Sequence, residues 1–197
     1  MLRLKSRSEA ETRLLGEKLA FHLIPGSIVL LTGDLGAGKT ILTKGLAAGL
    51  GVKEVVTSPS FTLMQRYQGR LVLYHFDLYR VEDPEELLEL GMEEFLYGEG
   101  VSVVEWCERM DQLPPQYLQV ALKHCSSPFG KEAALSETNS GTNSEIISGT
   151  VGETKALNAL ESPRLLEFSC RGTDHLQLLT RFQKTLDSNQ VIYESRY

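Results

Sequence analysis

The chain has 197 residues, of which 42% are hydrophobic and 23% are charged, and its formal net charge is −6. This composition is ordinary for a soluble globular protein, and the length suits one domain with a substantial core. The negative charge argues against a surface that grips a nucleic-acid backbone unaided, so we expect any nucleic acid to be held by a partner.

The cysteines and the apolar segments indicate the compartment. The sequence has no C-x-x-C pair among its three cysteines, which are Cys107, Cys125 and Cys170. This argues against a disulfide framework or a zinc site. We expect each of them to be a small buried residue. Because no apolar run reaches membrane-spanning length and no cleavable leader is evident, we expect a cytoplasmic protein without membrane association.

The first predicted element is a helix that begins near residue 8. Ser8 and Glu11 have the spacing of a capping box, in which their side chains accept from free backbone N–H groups. Apolar residues then recur on one face as far as Leu19. After the turn at residues 25–26, the apolar and partly β-branched run at residues 28–31 predicts a short strand.

The phosphate loop, residues 33–40, follows that strand and fits the pattern G-x-x-x-x-G-K-[ST]. Its residues are Gly33, Asp34, Leu35, Gly36, Ala37, Gly38, Lys39 and Thr40. Glycines let backbone N–H groups approach phosphate oxygens, Lys39 would reach the outer phosphates, and Thr40 would offer its hydroxyl to a magnesium ion. Ile41 opens a predicted helix whose N-terminus favours an anion. The pattern predicts a nucleoside triphosphate site, and the alternative is a glycine-rich turn without a ligand.

The next segment combines a hydroxyl-rich loop with a hairpin. Thr57, Ser58 and Ser60 lie where a loop of many nucleotide hydrolases senses the outer phosphate, although a plain Ser-Pro turn would look the same. Residues 61–67 and 71–76 are strand-like runs joined by a short turn, which predicts a β-hairpin. Residues 83–86 then open a helix, which Gly91 should close.

Two acids at strand ends are candidates to complete the site. Asp77 ends a strand of the predicted hairpin, whereas Glu105 ends the strand at residues 101–105, which follows a helix and can run parallel to the phosphate-loop strand. We therefore assign Glu105 to the metal side and Asp77, with Lys39, to the catalytic side, where Asp77 would orient or deprotonate the attacking water. The alternative is that either acid only caps a strand end. Arg80 and Trp106, directly beyond these acids, are candidates for supporting roles.

The remaining elements define the fold and the domain. Strands are expected at residues 117–123 and 164–170, and a helix at residues 174–186. Strands alternating with helices predict an α/β, P-loop NTPase-like layered fold. Its mixed central sheet would have a parallel core with antiparallel hairpin strands, flanked by helices.

The domain should span residues 1–125 and 164–190. Between these segments, residues 126–163 are rich in Ser, Thr, Gly and Asn, which predicts a disordered insertion. Residues 191–197 should be a frayed tail.

Four segments that occur in order resemble a known family. They are residues 33–40, Thr57-Ser58-Pro59-Ser60-Phe61, His75-Phe76-Asp77-Leu78-Tyr79-Arg80 and Val104-Glu105-Trp106. Through them the chain resembles the TsaE family (also called YjeE), small ATPases of bacterial tRNA threonylcarbamoyladenosine synthesis. The resemblance covers roughly residues 8–125 and resumes near residue 164. Residues 126–163 are the clear departure, because the family usually has a short turn there.

The resemblance implies an ATPase that uses ATP and Mg²⁺ and acts with two partner proteins, TsaD and TsaB. TsaD transfers the threonylcarbamoyl group to the adenosine beside the anticodon, so contact with tRNA would be indirect. The family implies Thr40 and Glu105 on magnesium and Asp77 at the catalytic position. Ser8 and Arg164 fall where the family has residues near the nucleotide.

Two other functions are compatible with a phosphate loop. A small-molecule kinase would need a closing lid with arginines over the phosphates. Residues 126–163 instead contain two lysines, no arginine and five glutamates, a composition that repels phosphate. A nucleotide-gated interaction module with little turnover is the other alternative, and turnover in the presence of the partners distinguishes it.

Overall fold

A computed structural model describes residues 1–83, 85–125 and 163–188, and within them seven strands form one sheet. The strands are β1 (Leu2–Ser6), β2 (Ile28–Thr32), β3 (Met64–Tyr67), β4 (Leu73–Asp77), β5 (Val101–Glu105), β6 (Tyr117–His124) and β7 (Arg164–Arg171). The helices of the same residues are α1 (Glu9–Ala20), α2 (Lys39–Gly49), α3 (Glu85–Glu89), α4 (Met92–Leu96) and α5 (Thr173–Ser188), with a 3₁₀ turn at Cys107–Arg109.

The sheet is mixed, with the strand order β1-β7-β6-β2-β5-β4-β3. β6, β2, β5 and β4 are parallel neighbours, while β3, β7 and β1 pair antiparallel to their neighbours. This confirms the predicted α/β fold with a parallel core and antiparallel strands. The β3–β4 pair is the predicted hairpin.

Helices cover both faces of the sheet, which explains why β2 and β5 are almost continuously apolar. On one face, α1, α2 and α5 bury Leu19, Leu46 and Phe182 against Val29 and Val103. On the other face, α3 and α4 cover a second cluster built around Leu30, Phe76 and Val104. Complete burial of one such leucine or phenylalanine contributes about 1.5–3 kcal/mol. The two apolar faces thus hold β2 in the middle of the molecule.

The predicted N-terminal cap is confirmed. Ser8 Oγ accepts from the N–H of Glu11 at 3.2 Å, and Glu11 Oε2 accepts from the N–H of Arg7 at 2.7 Å. The Glu11 side chain thus bonds to Arg7, the residue before Ser8. Together the two side chains satisfy the backbone N–H groups of Arg7 and Glu11 at the start of α1.

The helix expected to open at residues 83–86 and to close at Gly91 is present as α3; Gly91, with φ +66°, ends this turn of the chain and also begins α4. Two details depart from the sequence-based expectations. β1 was not predicted. Of the cysteines, only Cys107 is buried; Cys125 and Cys170 are partly exposed because they lie near the ends of β6 and β7.

Most of the predicted insertion at residues 126–163, and the predicted tail at residues 191–197, lie outside the described residues. Residues that bracket the insertion are described: the N–H of Cys125 donates to the carbonyl oxygen of Pro163 at 2.8 Å. No helix within the described part of the chain combines the length and apolar character needed to cross a bilayer.

Candidate active site

The candidate site lies at the carboxyl edge of the parallel strands. β2 ends there and leads into the phosphate loop, while β5 and β4 end with Glu105 and Asp77, which lie directly opposite each other in the ladder. Because parallel strands finish at the same edge, the two acids and the phosphate loop share one cavity. That cavity has a volume of about 400 Å³.

The phosphate loop is shaped by glycines with positive φ. Gly38 has φ +106°, and a Cβ atom there would lie 2.8 Å from Nε of Arg164. Gly33 has φ +131° and packs against the carbonyl group of Leu122 on β6 with no space for a side chain. A residue with a side chain would therefore be strained at either position and would also push the loop away from β6 and β7.

Lys39 is the first residue of α2 and is only 4% exposed. Its Nζ donates to the carbonyl oxygens of Gly33 at 2.5 Å and Asp34 at 2.9 Å, and lies 3.7 Å from the ring centroid of Trp106. Burial lowers the pKa of Lys39, and nearby carboxylates, first among them that of Glu105, oppose this shift. The ammonium group is thus held at the inner wall of the cavity.

Glu105 is 2% exposed and its carboxylate has three side-chain partners. Oε2 accepts from the hydroxyl of Thr40 at 3.0 Å. Oε1 accepts from the hydroxyl of Thr43 at 3.3 Å and lies 2.8 Å from Nε2 of His75. These contacts stabilise a buried carboxylate that would otherwise be costly.

Asp77 is 4% exposed and is held by the loop that precedes the hairpin. Its Oδ2 accepts from the hydroxyls of Ser58 and, at 2.7 Å, Ser60. Oδ1 accepts from the backbone N–H of Tyr79 at 3.1 Å. Asp77 is therefore an oriented carboxylate in the cavity lining.

Arg164 contacts the phosphate loop from outside the cavity lining, and Ser8 also lies outside that lining. Arg164, at the start of β7, is 2% exposed, donates from Nε to the carbonyl oxygen of Ala37 at 3.1 Å, and has Nη2 3.7 Å from Oε1 of Glu9. Ser8 caps α1, so its hydroxyl is already engaged with the backbone. The neighbouring Glu9 lines the cavity instead.

Two of the residues expected to support the site lie outside the cavity lining. The backbone N–H and carbonyl of Thr57 both bond to the hydroxyl of Tyr67 at 3.3 Å. The guanidinium of Arg80 stacks at 4.1 Å on the exposed ring of Phe61. Trp106, the third supporting candidate, lines the cavity and packs against Tyr79 with ring centroids 4.9 Å apart.

The remaining predicted residues fall into two groups. Leu35, Gly36, Gly38, Lys39, Thr40, Ile41 and Ser58 line the cavity together with Asp77, Glu105 and Trp106. Gly33, Asp34 and Ala37 contribute carbonyl oxygens that hold Lys39 and Arg164. Ser60, which the sequence placed with Thr57 and Ser58 in the loop expected to sense the outer phosphate, also lines the cavity. Sequence reasoning missed Glu9 and Tyr79 as lining residues, although Tyr79 stands within a motif that it recognised.

The donor atoms at Thr40 and Glu105 fit a magnesium ion. Mg²⁺ prefers hard oxygen ligands and in nucleotide sites takes one or two from the protein and the rest from phosphate and water. Among residues 1–83, 85–125 and 163–188, no three His, Cys, Asp or Glu side chains are grouped as a self-sufficient metal site. A hydroxyl and one carboxylate beside the phosphate loop are the partial ligand set expected for Mg²⁺ bound with a nucleotide.

The fold and the cavity together define a P-loop nucleotide-binding protein: a parallel sheet, a glycine-rich loop after its central strand, and a helix that begins at the loop's lysine. The family model for "Threonylcarbamoyl adenosine biosynthesis protein TsaE" matches residues 6–132. The chain therefore belongs to the TsaE family, as its motifs predicted.

Individual relatives agree with this membership. The tRNA threonylcarbamoyladenosine biosynthesis protein TsaE of Treponema pallidum (strain Nichols) is 47% identical over 116 residues, which is 59% of this chain and 86% of that protein. The TsaE protein of Bacillus subtilis (strain 168) is 44% identical over 124 residues, 62% of this chain and 77% of that protein. The crystal structure of Bacillus subtilis YdiB superposes with a TM-score of 0.66 at 29% identity, covering 94% of this chain and 97% of that one.

Proposed function

We propose that this chain is a Mg²⁺-dependent ATPase that serves the threonylcarbamoyladenosine modification of tRNA in the cytoplasm, together with TsaD and TsaB. The observation that carries the ATPase proposal is the pair of buried carboxylates, Asp77 and Glu105, at adjacent strand ends beside the phosphate loop. The pathway rests on family membership and on the names of the relatives.

The phosphate loop would bind the triphosphate through its backbone N–H groups, at the positive end of α2. Lys39 now donates to two loop carbonyls, and in the nucleotide complex its ammonium group would turn towards the outer phosphates. Arg164 fixes the loop at Ala37, which keeps the loop's N–H groups in one arrangement before the nucleotide arrives. Ser8 would act through α1, by fixing the helix end that carries Glu9.

Thr40 and Glu105 would hold the magnesium ion, Thr40 through its hydroxyl and Glu105 directly or through water. The ion would supply positive charge to the phosphate oxygens. Burial of Glu105 among three donors keeps this carboxylate beside α2, where the phosphates would lie.

Asp77 would orient the attacking water or accept its proton. An ionised carboxylate has about four acceptor positions, of which the hydroxyls of Ser58 and Ser60 and the N–H of Tyr79 take three. The remaining position is enough for one water. Ser58 and Ser60 would fix the direction of the carboxylate, and Thr57 would join them in a loop that senses the outer phosphate.

Trp106 and Arg80 would support this arrangement. The Trp106 ring forms a wall beside Lys39 Nζ, which limits where the ammonium group can move. Arg80 would have to leave the ring of Phe61 to reach a transferred phosphate. Its role therefore depends on movement when nucleotide or a partner binds.

The testing experiment measures ATP hydrolysis by the protein alone, with TsaB and TsaD, and with both partners and tRNA. We expect slow hydrolysis alone and at least tenfold stimulation by the partners. The Lys39→Ala variant serves as the control for contaminating ATPases. Phosphorylation of a small metabolite would support the kinase alternative, and nucleotide binding without partner-stimulated turnover would support the interaction module.

A further inference from the structure

His75 is a buried histidine that the proposed chemistry does not use directly. It lies on β4 two residues before Asp77, so both side chains point to the face of the sheet that α2 covers. The side chain is fully buried, and Nε2 crosses to β5, where it lies 2.8 Å from Oε1 of Glu105.

The hydrogen-bond partners define the tautomer of His75. An ionised carboxylate only accepts, so Nε2 carries the proton and donates to Glu105. Nδ1 is buried and has no hydrogen-bond partner among residues 1–83, 85–125 and 163–188. A proton on Nδ1 would be a buried donor without an acceptor there, which favours the tautomer that carries its proton on Nε2.

The partners of Glu105 divide its two oxygens between two tasks. Oε1 is held from the sheet side by His75 and from α2 by Thr43, whereas Oε2 meets Thr40, whose hydroxyl is the other candidate metal ligand. Of the two contacts to Oε1, the one from the His75 imidazole is shorter than the one from the Thr43 hydroxyl. The position of the imidazole ring is fixed because β4 is packed within the sheet.

We propose that His75 is a positioning residue for the divalent-cation site: its Nε2–H anchors Oε1 of Glu105, so that Oε2 is presented beside Thr40. This inference rests on the metal-side role of Glu105 in the proposed function. A glutamate has three rotatable side-chain bonds, and without the anchor its carboxylate turns away from the cation position in part of the molecules. Outer-shell partners of this kind change metal affinity about 10–100-fold when removed.

The test measures Mn²⁺ binding to the full chain by electron paramagnetic resonance in the presence of a non-hydrolysable ATP analogue. His75→Leu removes the donor, and His75→Gln restores an N–H at nearly the same reach. We expect His75→Leu to weaken Mn²⁺ binding about tenfold or more. His75→Gln should stay within about threefold of wild type, and metal-free binding of a fluorescent ATP analogue should stay within about twofold in both variants. Wild-type Mn²⁺ affinity in His75→Leu would overturn the proposal.

Two further variants keep the test decisive. If His75→Leu does not fold, His75→Asn replaces it, because the asparagine amide is polar but too short to reach Oε1. Wild-type Mn²⁺ binding in His75→Asn also overturns the proposal.

Glu105→Gln separates the positioning role of His75 from the metal-side role of Glu105. If Glu105→Gln loses Mn²⁺ while the His75 variants keep it, only the positioning role fails. If Glu105→Gln binds Mn²⁺ normally, the metal-side assignment of Glu105 fails, and the positioning role proposed for His75 fails with it.

Discussion

Arg164 donates from Nε to the backbone carbonyl oxygen of Ala37 at 3.1 Å, across 127 positions of the chain. The first residue of β7 thus fastens the middle of the phosphate loop. Gly38, the next loop residue, has no space for a side chain because the same guanidinium lies against it. The loop that would bind the nucleotide therefore has its conformation set partly by the C-terminal strand.

Arg164→Ala should weaken nucleotide binding by at least about tenfold. A hydrogen bond to a charged group contributes about 1.5–3 kcal/mol, which corresponds to that factor or more. Titration with a fluorescent ATP analogue measures the effect. Arg171→Ala, an exposed position at the far end of β7, is the matched control and should change little. Equal affinities in wild type and Arg164→Ala would mean that the loop holds its shape without this contact.

Lys39→Ala should abolish ATP turnover. The ammonium group donates to two carbonyl oxygens of the loop and would neutralise charge on the outer phosphates. Steady-state hydrolysis with TsaB and TsaD present measures the loss. Lys44→Ala removes an exposed charge from the same helix and should retain turnover. Unchanged hydrolysis in Lys39→Ala would contradict the assignment of residues 33–40 as the phosphate-binding loop.

Asp77→Asn should lower kcat about 10²–10⁴-fold, the range expected when a group that accepts or directs a proton is lost. The amide keeps the shape of the side chain, so nucleotide affinity should stay within about threefold. Single-turnover hydrolysis and equilibrium binding, measured on one preparation, separate the two effects. A parallel loss of binding would assign Asp77 to the structure or to the metal instead of the water.

Cys107 should resist alkylation in the folded protein. Burial, together with the charge of Glu108, raises the pKa of its thiol to about 12. The thiolate is the reactive form, so its population stays very small between pH 7 and pH 9, well below that pKa. Iodoacetamide labelling followed by mass spectrometry should modify the partly exposed Cys125 and Cys170 first. Labelling of Cys107 as fast as Cys125 at pH 8 would contradict its burial.

Replacing residues 126–162 with a short glycine-containing turn should preserve the fold and the ATPase activity. His124 lies opposite Arg164 in the β6–β7 ladder, and the N–H of Cys125 already bonds to Pro163, so the ends need only a hairpin connection. Shortening the loop lowers the entropy cost of closing it by about 2 kcal/mol. Thermal unfolding and hydrolysis measure the outcome. A clear fall in Tm would mean that the deleted residues pack against the domain.

Local sequence signals were sufficient for the elements that meet at the nucleotide edge. The glycine pattern placed the phosphate loop between β2 and α2, and the hairpin before Asp77 distinguished β4 from β5, which lies directly beside β2. These inferences depend on a few adjacent residues or on the order of consecutive strands. Strand direction alone does not separate the two acids, because β4 also runs parallel to β5.

The same local signals did not predict contacts between segments that lie far apart in the sequence. β1 alternates buried and exposed residues, but within the described part of the chain it pairs with β7, which lies far from it in the sequence. No local signal links His75 to Glu105, because the two side chains meet only through the parallel pairing of β4 with β5. Arg80 follows Asp77 by three residues in the sequence, yet the chain turns after β4 and carries the Arg80 side chain to Phe61.

The strand order also constrains how the protein is made. In the sheet, Ile28 lies opposite Ser102, Val29 opposite Leu118, and Leu2 opposite Phe168, so every partner of the two N-terminal strands is synthesised long after them. Such non-local pairing slows folding. During synthesis on the ribosome, β1 cannot pair until β7 has emerged. The contact between Arg164 and the phosphate loop becomes possible at the same stage. Nucleotide binding in a nascent chain would therefore reach its full strength only after β7 has left the ribosome.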